Sequence, residues 1–200
     1  MYDIARLRIG LANMPRPVLR RVDVRLSTRL DDLHLIFQAA MGWENNHPYR
    51  FRTSDSVVYG EIESNRRVEG LRPACKSTLA DLCRGLNKNR TFEYIYDFRD
   101  KWVHRVKLKA VGESDTDQLY PRLLEAKRRC PPEDCGGPWG YARFLESLRV
   151  EGNGDNAKMS VQWVEEFNPE LVDTAVLETR MQVLARHIQR KRDRMSRRNK

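Results

Sequence analysis

His34, His47 and His104, with the carboxylates Asp97, Asp100, Glu133 and Asp134, form a constellation that could bind a divalent cation or exchange protons. None of them has the tight helical spacing of a His-Glu-x-x-His segment, so only the fold can assemble a site from them. His34, Asp97, Asp100, His104 and Glu133 form the candidate catalytic set, as the core of a metal-dependent enzyme. The competing expectation is structural: His34 and His104 at the edge of the core, hydrogen-bonded to Asp97 or Asp100 and orienting a turn. No metal and no cofactor is assigned from these spacings. No Ser-His-Asp arrangement, phosphate loop or dinucleotide fingerprint occurs.

The cysteines offer a second chemistry. Cys130 and Cys135 are separated by four residues, within the range of zinc ligands, but Pro-Pro-Glu-Asp between them and Gly-Gly after them suit a rigid turn better. Cys75 and Cys83 fit no zinc spacing, and reduced thiols are expected throughout.

A third chemistry is electrostatic. Of a net charge of +9, the tail from Arg186 to Lys200 carries +7: Arg186, Arg190, Lys191, Arg192, Arg194, Arg197, Arg198 and Lys200 against Asp193 alone. The other 185 residues share about +2, so attraction to polyanions is expected at the tail. Seven engaged phosphates would give a log–log salt slope near about −6. No aromatic residue interleaves with the tail after Trp163 and Phe167. The chain has no N-terminal apolar run of signal-peptide length and no stretch near the roughly 20 apolar residues of a membrane span. A soluble cytoplasmic protein with no membrane partner is therefore expected.

The element that must position these groups is the segment 92–104. Phe92, Tyr94, Tyr96 and Phe98 alternate with Glu93, Ile95 and Asp97, which places four rings on one face of a strand. After Asp100-Lys101, Trp102, His104, Val106 and Leu108 begin a second alternation, so the segment reads as a β-hairpin whose aromatic face must be covered. The rings could stack bases, but a core role is the stronger expectation.

Around the hairpin, Ala5, Leu7, Ile9 and Leu11, then Val18, Arg20, Val22, Val24 and Leu26, predict two strands joined by a Pro-containing turn. Thr28-Arg29-Leu30-Asp31 resembles a capping box ahead of a helix carrying Leu30, Leu33, Phe37, Ala40 and Met41 and stopped by Gly42. Residues 49–52 and 56–59 read as short strands, 60–76 as loop, and Thr78 as the cap of a short helix. Tyr120–Arg129 is ambiguous, with a helical turn one reading. Pro138 suits the first turn of a helix reaching about Leu148. Residues 151–158 read as a linker, 161–167 as helical, and a last helix begins near Asp173 or Thr174. Leu177, Met181, Leu184, Ile188 and Met195 mark its apolar side, which can dock on the parent domain or pair with a protein partner or second copy.

The motifs Pro17-Val18-Leu19-Arg20-Arg21, Leu33-His34-x-x-Phe37-Gln38-x-x-Met41-Gly42-Trp43, His47-x-Tyr49-x-Phe51, Tyr96-Asp97-Phe98-x-Asp100-x-Trp102-x-His104, Tyr120-Pro121 and Cys130–Gly137 occur in this order. Together they resemble the plasmid pRiA4b ORF-3-like family over roughly residues 1–150, with a weaker likeness at Asn168-Pro169-Glu170. The resemblance implies an α+β domain with an antiparallel sheet and packed helices. It implies little about activity: some relatives ride in plasmids and insertion sequences under a resolvase-type passenger label, an association and not a mechanism. Leu19, Pro48, Arg99 and Lys109 stand where Trp, Leu, Gly and an acidic residue are usual. A positive φ at Arg99 would cost about 1 kcal/mol.

The expectation is thus an α+β domain over 1–150, a linker at 151–158, and C-terminal helices over 159–200 ending in a basic tail. Its expected role is that of a non-catalytic accessory protein of mobile DNA that touches nucleic acid through the tail. The metal-dependent enzyme is the alternative.

Overall fold

The computed structural model describes residues 3–61, 70–148 and 167–198. In chain order the elements are β1 Ile4–Leu11, β2 Leu19–Arg25, α1 Leu30–Met41, β3 Tyr49–Arg52, β4 Val58–Gly60, β5 Leu71–Pro73, α2 Leu79–Arg84, β6 Thr91–Tyr96, β7 Trp102–Gly112, β8 Arg122–Lys127, α3 Gly137–Ser147 and α4 Thr174–Arg198. The strands form one sheet in the order β5-β4-β3-β6-β7-β1-β2-β8. Every pairing is antiparallel except β4 with β5. The architecture is α+β, and the β6–β7 hairpin lies at the middle of the sheet.

Alternation decides which face is covered. In β1, Ala5, Leu7, Ile9 and Leu11 are buried while Arg6 and Arg8 are exposed. In β6, Phe92, Tyr94 and Tyr96 turn inward, and Trp102, His104, Val106 and Leu108 do so from β7. Helix α1 covers this face through Leu33, Phe37 and Ala40, with the Phe37 ring edge-on to Tyr94 at 5.1 Å. It ends at Gly42, whose φ of +86° closes the helix by a hydrogen bond to Gln38 O (2.9 Å).

Four local expectations need correcting. Phe98 does not continue the buried row: it sits in the turn, 38% exposed, beneath the Arg50 guanidinium at 4.1 Å. Alternation carries a ring inward only while the strand lasts, and β6 ends at Tyr96. Thr28 does not cap α1, whose N-cap is Arg29 with no side-chain capping bond; the full capping box lies at Thr78–Asp81, ahead of α2. The stretch read as loop over 60–76 contains β5 and a 3₁₀ turn, Ala74–Lys76. Tyr120–Arg129 contains β8, an edge strand paired with β2 and interrupted by a register shift beside Arg21 and Val22. The adjacent Leu123 and Leu124 break the period-two pattern there, which hid the strand.

Helix α4 lies against α1 and β8. Leu177, Met181, Ala185 and Ile188 are its buried positions, so the predicted apolar side docks on the parent domain, with Ala185 in place of the half-buried Leu184. Lys191 locks the far end by donating to both Asp32 oxygens (2.8 and 3.1 Å). The linker at 151–158 and residues 161–166 of the expected helix lie outside the described residues. Phe167 is buried, packing edge-on to Phe144 at 5.2 Å. Among the described residues no helix is long and apolar enough to cross a membrane.

Candidate functional site

The turn between β6 and β7 is where acidic side chains gather. Asp97 takes a left-handed backbone (φ 57°), and its Oδ1 accepts from the N–H groups of Arg99 (2.9 Å) and Asp100 (3.3 Å). Lys101 is the other left-handed residue of the turn (φ 54°); Arg99 has no positive φ, so the strain expected there falls on its neighbours instead. Asp100 Oδ2 accepts from the N–H of Gly136 (3.0 Å) and Gly137 (2.9 Å), which ties the turn to the start of α3. Gly137 has to be glycine: its φ is +68°, and a Cβ there would lie 2.4 Å from Asp100 O.

Glu133 joins a third segment. It accepts the Tyr96 hydroxyl proton on one oxygen and the Glu44 N–H on the other (2.7 Å). The Trp43 indole donates to Pro131 O (2.8 Å). The loop after α1, the hairpin turn and the loop before α3 are thus one hydrogen-bonded junction. His47 stands at its outer edge, with Nε2 3.7 Å from Asp97 Oδ2 and 3.1 Å from Asp134 Oδ1. Asp134 Oδ1 also accepts from Arg99 Nη2 (2.8 Å). Glu133 and Asp134 line an open groove of about 640 Å³ whose opposite wall is Val176, Leu177 and Arg180 of α4.

His34 and His104 are placed elsewhere, around Tyr94. Gln38 Nε2 donates to the Tyr94 hydroxyl (2.9 Å), which donates to His34 Nδ1 (2.7 Å), leaving His34 Nε2 to donate to Asn45 Oδ1. The His34 ring stacks on Tyr49 at 3.7 Å. His104 Nδ1 donates to the carbonyls of Trp102 (3.1 Å) and Tyr94 (3.2 Å). Burial pushes both imidazoles down to about 4, so both are neutral parts of the core. Their partners are Tyr94, Asn45 and backbone, not Asp97 or Asp100.

Of the candidate set, then, Asp97, Asp100 and Glu133 meet at the junction, and His34 and His104 do not join them. His47 and Asp134 take that place. Both were singled out by residue type but left out of the candidate catalytic set; His47 also falls in the His47-x-Tyr49-x-Phe51 motif and Asp134 in the rigid Cys130–Gly137 segment. The cysteines are free thiols, and burial pushes Cys130 and Cys135 up to about 12, away from the thiolate that a metal or a nucleophile requires.

The tail emerges as the outer side of α4. Arg186, Arg190, Arg194 and Arg197 are exposed, and at helical pitch they fall within an arc of about 80°. That arc faces roughly opposite the buried stripe of Leu177, Met181 and Ile188. Lys191 is spent on Asp32, and Arg192 contacts Gln189 (3.5 Å). The side chains of Arg198 and Lys200 lie outside the described residues.

The model of the plasmid pRiA4b ORF-3-like family matches residues 3–176. The chain belongs to the plasmid pRiA4b ORF-3-like family. A relative in this range is the uncharacterized protein y4hQ of Sinorhizobium fredii, 38% identical over 168 residues, with 80% of each chain covered. The crystal structure of MM3350, a protein of unknown function from Methanosarcina mazei Go1, is similar with a TM-score of 0.76 and 26% identity, covering 86% of this chain and 96% of that one. The family match ends at residue 176, so it takes in the junction but stops at the first turn of α4.

Proposed function

We propose that this member of the pRiA4b ORF-3-like family is a non-catalytic accessory protein associated with mobile DNA, and that it contacts nucleic-acid phosphates through the outer side of α4. The observation that carries this reading is the row Arg186, Arg190, Arg194 and Arg197: four exposed guanidiniums, none in an ion pair among the described residues. Like charges at i, i+4 repel by about 0.2–0.5 kcal/mol per pair, a cost that a run of phosphates relieves. The helix is held firmly enough to present them as a unit, through its buried stripe and the Lys191–Asp32 pair. Arginine also suits phosphate by its forked donors. The row reads charge and not sequence, as phosphate contacts do.

The test uses the full chain and a fluorescent DNA duplex, with binding followed by anisotropy across a salt series. Four engaged phosphates predict a log–log slope near about −3.6, shallower than the whole tail would give. Joint Arg186→Gln, Arg190→Gln, Arg194→Gln and Arg197→Gln should flatten the slope and weaken low-salt binding by tenfold or more. No duplex binding at low salt, or the same slope in the variant, would overturn the reading.

A further inference from the structure

We propose that His47, Asp97 and Asp134 bind one divalent transition cation of the zinc class, independently of any nucleic-acid contact. Three donors converge: one ligand atom each from His47, Asp97 and Asp134 lies within 4.8 Å of the other two. Zinc holds nitrogen and oxygen ligands at about 2.0–2.2 Å, and a tetrahedral arrangement then sets neighbouring donors about 3.4 Å apart. The observed His47–Asp97 and His47–Asp134 separations, 3.7 and 3.1 Å, bracket that spacing without any movement of backbone.

The second observation is independent of spacing. His47 Nε2 and Asp97 Oδ2 are both buried and both lack a hydrogen-bond partner. Asp97 is only 2% exposed. A buried carboxylate oxygen with no donor is costly, and an imidazole nitrogen at 3.7 Å does not satisfy it. A shared cation satisfies both atoms together. The other Asp97 oxygen is fixed by the N–H groups of Arg99 and Asp100, which aims Oδ2 at the site in the manner of an outer-shell support.

The groups facing the site set its character. One imidazole and two carboxylates suit a borderline cation, and three protein ligands leave a fourth position for water or an oxygen ligand. Asp134 is half exposed and borders the groove, so that position is reachable from solvent. Arg99 is the competitor: its guanidinium already holds Asp134 Oδ1, and it must swing away, which its 73% exposed side chain allows.

The experiment takes the full-length protein stripped with a chelator and titrates it with zinc by calorimetry and with cobalt by visible absorption. One equivalent per chain is expected, with cobalt d–d bands and no thiolate charge-transfer band. His47→Ala and Asp134→Asn, both on surface loops, should each weaken zinc binding by about tenfold to hundredfold or more. Arg99→Ala should tighten it several-fold by removing the competitor. Asp97→Asn, checked for an unchanged metal-free melting temperature, should weaken it as strongly as His47→Ala. Absence of saturable binding, equal affinity in His47→Ala and Asp134→Asn variants and the parent chain, or a thiolate band placing the metal on the cysteines would each overturn the proposal.

Discussion

At the β6–β7 turn, carboxylates are gathered inside the protein and held by backbone donors; along the outer row of α4, the guanidiniums of Arg186, Arg190, Arg194 and Arg197 are exposed and meet no acidic group among the described residues. Asp100, nearly buried, spends one oxygen on two backbone N–H groups. Arg190, exposed, contacts no acidic group among the described residues. The difference follows from solvation. A buried charge must find a partner when the chain folds, so its geometry is fixed. An exposed charge keeps its water and stays free for a partner from outside. The turn should therefore matter to stability and the helix face to binding, and the contrast can be broken from either side.

The largest effect is expected at the centre of the inner face. Tyr94 is fully buried, with Phe37 and Phe51 against its ring and Gln38 and His34 on its hydroxyl. Tyr94→Ala should cost about 3–5 kcal/mol, read from the denaturant midpoint. Tyr94→Phe should cost about 1–3 kcal/mol, because Gln38 and His34 would keep their burial and lose their partner. A cost for Tyr94→Ala no greater than that for Tyr94→Phe would mean the ring is not a core element.

Acid should reveal the two neutral histidines next. In the folded chain His34 and His104 take up protons only near about 4, whereas an unfolded imidazole does so near 6.5. Between those values the unfolded state binds more protons, so stability is fully present above about 6.5 and is lost as pH falls toward about 4. The loss is on the order of 3 kcal/mol per imidazole, read from urea midpoints at a series of pH values. Midpoints that stay flat from neutral pH to about 4.5 would show that the histidines are not held neutral. The turn comes third: Asp100→Ala should cost about 2 kcal/mol by stranding the Gly136 and Gly137 donors.

The fold was legible in the sequence where local periodicity and tertiary burial agree. β1, β2, β6, β7 and α1 show clean alternation or a helical stripe, and each buries the face its pattern indicated. β8 was hidden because an edge strand with a register shift needs no strict alternation. The site was legible only by residue type. Asp97, Asp100 and Glu133 meet because Gly136 and Gly137 allow the loop before α3 to close on the turn, a long-range approach that no spacing encodes. His34 and His104 lie on inward faces of α1 and β7, as the structural expectation had them, but their partners are Tyr94, Asn45 and backbone carbonyls, which no local pattern identifies. His47 and Asp134 sit on loops 87 residues apart, and only the folded chain brings them together.

The smallest effect is the sharpest test of the contrast. Arg186→Gln, Arg190→Gln, Arg194→Gln and Arg197→Gln, made together, should change stability by less than about 0.5 kcal/mol. Two terms oppose each other. Removing like charges at i, i+4 relieves repulsion of about 0.2–0.5 kcal/mol per pair, while cations near a helix C-terminus are favoured by about 0.3–1 kcal/mol through the macrodipole. Lys191→Ala, one residue beyond Arg190, should cost more, about 1 kcal/mol, because its partner Asp32 is nearly buried and would be left with only the longer contact to Arg29 at 3.8 Å. A four-glutamine variant that unfolds more readily than Lys191→Ala would show that the outer row holds the fold, and a loss of DNA binding in it would then follow from unfolding and not from lost phosphate contacts.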